Sequence, residues 1–321
     1  MQQTSKHYER QFFPKLFGKV RIPGTAIHEF LVAMFNDPVQ NEPLRTFDHS
    51  IVERNKDKLS GSIFNKKEWN RTSYFVGNDT LALYQKNMND STRRALIEKN
   101  NWTTESVTYR INDRGFRYDG EDSILKSDEP CVVYLGDSNM FGTGVNVEDS
   151  IAYKIHTGVS KFKNLRYVNL SQPGCGISTA YRVLKFNMDD LNIKYVVGGF
   201  HWAFTREEHY DQDEKDPGQR FLKMQIAPSN SPKRTPFPDF MFSEIEGIKR
   251  YYKNLDAIKW ICHSNDIQLH WIEDIDHPAI KNFDPTDILK GIEDKVSRDT
   301  SHYGPQQCTR IADVICKVLN E

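Results

Sequence analysis

The sequence predicts an α/β fold in three layers, a central parallel sheet with helices on both faces, preceded by a helical and irregular extension. Three observations lead there. From residue 107 onward, short apolar runs alternate with helical patterns, the rhythm of parallel strands joined by crossover helices. The clearest run, Cys131–Gly136, is apolar without alternation, as a strand buried on both faces should be. A chain of 321 residues can bury one large core and still carry an appendage.

Residues 1–106 are polar, rich in Asn, Lys and Arg, with aromatics at irregular intervals, and read as an extension to a domain over residues 107–321. Within them Ala26–Phe35 fits a short helix ended by Asn36-Asp37-Pro38, because the residue before a proline is pushed out of the α region. Asp90–Lys99 fits a second, with Asp90 at its N-cap. In the domain, strands are expected at Cys131–Gly136, Tyr167–Leu170, Tyr195–Phe200 and Gln268–Ile272. The helices between and after them are Ile151–Val159, Ser178–Leu191, Phe242–Ser264 and Pro305–Leu319. One segment interrupts the rhythm: Glu207 to Met241 is crowded with Pro, Asp and Lys, and a loop this long in a compact domain reads as a lid or binding element. Right-handed crossovers bring the strand ends that carry Ser138, Gly174 and His201 to one rim.

Composition narrows the partners. A formal net charge of −1 supplies no basic field, so no nucleic-acid partner is expected. The five cysteines form no Cys-x-x-Cys pair, which favours reduced thiols in a cytosolic-type setting over a disulfide framework or a zinc ribbon. Met1–His7 runs into charge rather than an apolar stretch, so no secretory signal is read there. The apolar stretches Ile27–Phe35 and Tyr195–Phe200 fall well short of the roughly 20 residues of a membrane span. No cofactor is expected, and no metal either. The segment His270-Trp271-Ile272-Glu273-Asp274-Ile275-Asp276-His277 gathers imidazoles and carboxylates, yet strand alternation splits such ligands between faces and the cluster lies where a strand ends.

The chemistry concentrates at two places. Gly136-Asp137-Ser138 ends the apolar run Cys131–Leu135 and sets one serine at the tip of a strand, where ligands collect in open α/β sheets. Far downstream, Arg298-Asp299-Thr300-Ser301-His302 puts a carboxylate three residues before an imidazole, ahead of the C-terminal helix. Serine needs a base to remove its proton as it attacks, and His302 is the candidate. Asp299 can hold the other ring nitrogen, fixing the tautomer and stabilising the imidazolium that develops. The order Ser, Asp, His also suits the α/β-hydrolases, whose elbow requires glycine two residues after the nucleophile; here that position is Met140.

These blocks resemble the SGNH, or GDSL-type, hydrolase family, which opens on Gly-Asp-Ser after a strand and closes on Asp-x-x-His before the last helix. Asn112-Asp113-Arg114-Gly115-Phe116-Arg117 is similar to a lead-in of many bacterial members, and Arg114 and Arg117 are expected to brace that turn. The resemblance implies a flavodoxin-like sandwich and a serine esterase acting through an acyl-enzyme, with a small or O-acetylated carbohydrate ester as substrate. It also implies an oxyanion hole of the Ser138 and Gly174 backbone N–H groups, Gly174 lying in Asn169-Leu170-Ser171-Gln172-Pro173-Gly174, which looks like the second block; Gly174 can also serve simply as a turn residue after Pro173. The third block expects an asparagine, and the chain reads Gly198-Gly199-Phe200-His201-Trp202-Ala203-Phe204. In the simplest register His201 stands in its place, either as a donor to the oxyanion or as a wall residue; a block two residues longer puts Ala203 there. Two other functions fit the same scaffold: a non-catalytic binding or structural protein that docks into a larger assembly through residues 1–106, and an O-acyltransferase.

Overall fold

The computed structural model describes residues 49–54, 56–62, 72–73, 81–102, 107–120, 124–199, 206–210, 221–225, 244–272 and 297–321. The chain divides into two compact units, Met1–Asn55 with Ile226–Glu246, and Lys56–Gln225 with Gly247–Glu321. The second holds the sheet and the predicted site. The helix expected at Ala26–Phe35 lies outside the described residues, as does His201.

Among the described residues the sheet has four parallel strands, β1 (Ser127–Gly136), β2 (Arg166–Asn169), β3 (Leu191–Gly199) and β4 (Gln268–Trp271), in the order β2-β1-β3-β4. Cys131 to Leu135 are fully buried, which is why this run carries no polar alternation. β1 begins four residues earlier than its apolar run predicts. Ser127 and Pro130 pair with Leu191 and Asn192 of β3 across a register shift, a pairing made by backbone and therefore silent in the hydropathy, and Pro130 sits where an irregularity tolerates its missing N–H.

From Lys56 onward the α-helices among the described residues are α1 (Lys56–Ser60), α2 (Leu81–Asn89), α3 (Ser91–Lys99), α4 (Ser138–Phe141), α5 (Ile151–Gly158), α6 (Ile177–Asn187), α7 (Glu244–Ser264) and α8 (Pro305–Asn320), and α5 to α8 cover the two faces of the sheet. On one side Cys131, Val133 and Leu135 pack with Val183 and Leu184 of α6 and Leu255 and Ile258 of α7. On the other, Val132 and Tyr134 pack with Ile151 and Ile155 of α5 and Ile311 and Ile315 of α8. Successive residues of β1 thus feed two separate cores, the period of two that a strand imposes. Asp90 caps α3 as its sequence suggests, its carboxylate accepting from the N–H groups of Thr92 and Arg93.

The helix predicted to run to Leu191 stops earlier. α6 ends at Asn187, a 3-10 turn covers Met188–Asp190, and Leu191 opens β3. Asn187 explains the stop, because its buried amide donates to the carbonyls of Val183 (2.7 Å) and Ser60 (2.8 Å) and accepts from Arg114 (2.6 Å). Within Glu207–Met241 the described residues form an antiparallel ribbon, Arg206–Tyr210 against Phe221–Gln225.

Candidate active site

Ser138 is the first residue of α4, directly past the end of β1. Asp137 is the N-cap, its carboxylate accepting from the Asn139 N–H at 2.9 Å, so the strand turns into a helix within one residue. After α4 the chain closes on itself, the Ser138 carbonyl accepting from the N–H groups of Gly142 (3.1 Å) and Thr143 (2.9 Å). Arg117, 1% exposed, donates to the carbonyls of Gly142 (2.6 Å), Val145 (2.8 Å) and Phe141 (3.2 Å), and its guanidinium lies over the Tyr109 ring at 4.6 Å. The lead-in arginine therefore braces the loop that follows the serine. Arg114 is anchored elsewhere, on Asn187 and Asp190.

The second block arrives on the loop before α8. The Ser138 hydroxyl lies 2.7 Å from His302 Nε2. His302 Nδ1 is hydrogen-bonded to Asp299 Oδ2. The other carboxylate oxygen accepts from Ser297 Oγ (2.7 Å), the Ser301 N–H (2.9 Å) and the His302 N–H (3.0 Å). Ser138, His302 and Asp299, distant in sequence, are thus brought into one hydrogen-bonded line. Burial of Asp299 works to raise its pKa, but the hydrogen bond and charge of His302 and the donors of Ser301 and Ser297 outweigh it and lower the pKa to about 2. A carboxylate fixed in that form holds Nδ1 as the donor and leaves Nε2 facing the serine.

The two blocks are joined at Gly144. Its carbonyl accepts from the Arg298 N–H (3.1 Å), and its N–H donates to Tyr109 Oη (2.7 Å). Its φ is +82°, and a Cβ there would meet Ser297 Oγ at 2.2 Å. Only glycine allows the serine loop to lie this close to the residue that supports Asp299.

Gly174 sits at φ +70° in a turn, Gln172-Pro173-Gly174-Cys175, closed by the Cys175 N–H on the Gln172 carbonyl at 3.3 Å. Proline second and a positive-φ glycine third are the marks of a type II turn. The turn uses the N–H of Cys175 and not that of Gly174, so the turn role and a donor role are compatible. The Gln172 N–H donates to the Gly136 carbonyl at 3.0 Å, which ties this loop to the end of β1, one residue before Asp137.

Sequence reasoning missed the residues that hold these groups in place. Ser297 and Asn87 are both fully buried, the first on Asp299 Oδ1 and the second donating to the Asp299 carbonyl at 3.1 Å. Ser62 donates from Oγ to Gln172 Oε1 at 3.3 Å, bracing the Gly174 turn. Ser297 was within reach, standing two residues before Asp299; Asn87 and Ser62 sit in polar stretches with no local pattern to single them out. Among the described residues no group of three or more His, Cys, Asp or Glu side chains is arranged to hold a metal ion, and no helix is long and apolar enough to cross a membrane. No protein-family model matches the sequence, and no curated protein matches it either.

Proposed function

We propose that this protein is a serine ester hydrolase of the SGNH type, acting through an acyl-enzyme on a small ester or an O-acetylated carbohydrate. The observation that carries the reading is the 2.7 Å contact between the Ser138 hydroxyl and His302 Nε2, with Nδ1 held by the buried Asp299. In this reading Ser138 Oγ attacks the ester carbonyl while His302 takes its proton. The oxyanion that forms is met by the Ser138 and Gly174 N–H groups. His302 then gives the proton to the departing alcohol, and water repeats the sequence on the acyl-enzyme to release the acid. The strand order β2-β1-β3-β4 supports a flavodoxin-like scaffold, in which ligands bind where the order reverses, beyond the carboxyl ends of β1 and β3. Ser138 follows β1 directly.

Activated acetate esters and a fluorophosphonate probe test the reading. The protein is expected to release acetate and to be labelled at Ser138, and Ser138→Ala to lose both, with turnover down by on the order of 10³-fold or more. Equal turnover in the variant, or a label on another residue, removes Ser138 as the nucleophile.

A further inference from the structure

We propose that Asn87, on α2 and 212 residues from Asp299 in sequence, is a positioning residue for the base of this site, an inference that rests on the ester-hydrolase reading. Its amide orientation is set by Arg93, whose guanidinium donates to Oδ1 at 2.8 Å; Nδ2 is thereby turned to the Asp299 carbonyl at 3.1 Å. Asn87 itself is fully buried.

The carbonyl it holds belongs to the peptide joining Asp299 to Thr300. Thr300 has φ +62°, a left-handed conformation that is unfavourable for a non-glycine residue. Such a residue persists only where its surroundings over-determine it. Both ends of the peptide are clamped, the carbonyl by Asn87 and the Thr300 N–H by the Ser297 carbonyl at 2.9 Å. Losing a clamp would let this peptide rotate and Thr300 relax, and would loosen the Asp299 backbone from which the carboxylate is presented to His302 Nδ1. Asn87 therefore keeps the carboxylate in line with His302 Nδ1 without touching the reacting atoms.

The test is made in the full chain with Asn87→Ala and Asn87→Asp, the second retaining a partner for Arg93 while removing the donor. Both variants are expected to lower kcat by about tenfold or more, since small misplacements of a catalytic group are costly, while KM stays within about twofold. The downfield proton resonance of His302 Nδ1–H is expected to broaden or disappear in both. Ile97→Ala, a core truncation in α3, serves as the stability control and is expected to lower the melting temperature without either effect. Variants that fold, keep kcat within about twofold and retain the resonance overturn the proposal, as does Ile97→Ala reproducing both losses. The resonance needs no substrate. If the wild-type protein proves to lack esterase activity and Ser138 labelling, the hydrolase reading fails while the resonance still decides the role of Asn87.

Discussion

Asp299 ties the chemistry of the site to the stability of the fold. Its side chain is fully buried, and its charge is accepted only because Ser297, Ser301 and His302 supply donors to it. The folded-state pKa of about 2 lies below the ordinary 3.8, so the folded protein binds this proton less readily than the unfolded chain. The resulting stabilisation is fully present above pH 3.8 and is lost as pH falls from there through 2. A shift of this size is worth about 2 kcal/mol. Asp299→Asn is therefore expected to unfold at lower urea than the wild type at neutral pH, with the gap narrowing below pH 4; a gap independent of pH would show that the stabilising form is not the carboxylate. The same residue shows what was legible beforehand. Asp299, His302 and Ser138 are recognisable because each lies in a short motif at a fixed spacing. Ser297 acts from two residues away without belonging to the motif, whereas Asn87 acts through a hydrogen bond made across the fold, and a local reading of sequence has no means of pairing residues 87 and 299.

The elements were read best where apolar patterning defines them. β2 (Arg166–Asn169) and β4 (Gln268–Trp271) fall within a residue of the predicted strands, whereas β3 begins at Leu191, four residues before the predicted Tyr195, where it pairs with the early start of β1. The mismatches occur where polar contacts decide: β1 extends back to Ser127 by backbone pairing alone, and α6 ends at Asn187 because that side chain serves Ser60 and Arg114. The loops at the rim are held by polar contacts too. The serine loop and the Asp299 loop meet at Gly144, where backbone bonding and close approach of Ser297 coincide. Gly144→Ala would have to hold a Cβ at φ +82° within 2.2 Å of Ser297 Oγ. It is expected to cost about 2 kcal/mol or more in urea unfolding and, by displacing Ser297 from Asp299, to lower kcat more than it raises KM. A neutral effect on both would mean that the two loops are independent.

At the scale of the whole molecule, the described residues 56–62 and 81–102 lie within the compact unit that holds the sheet. The compact unit begins at Lys56. Arg182, 9% exposed, donates to the carbonyls of Leu59 and Gly61. Asn187, fully buried, donates to that of Ser60. Ser62 and Asn87 reach the two loops on either side of Ser138. Composition places a boundary near residue 106 because the region before it is polar and unpatterned, and the hydrogen bonds that Ser60, Ser62 and Asn87 make to buried polar groups leave no hydrophobic signature. Removing that region would take away the carbonyls of Leu59, Gly61 and Ser60 to which Arg182 and Asn187 donate, and with them the hydrogen bonds that tie α6 to it. A chain beginning at residue 107 is therefore expected to unfold at markedly lower temperature, or to aggregate, relative to one beginning at Lys56, with circular dichroism and size-exclusion as the measurements. Equal melting of the 56–321 and 107–321 chains would place the boundary at residue 107.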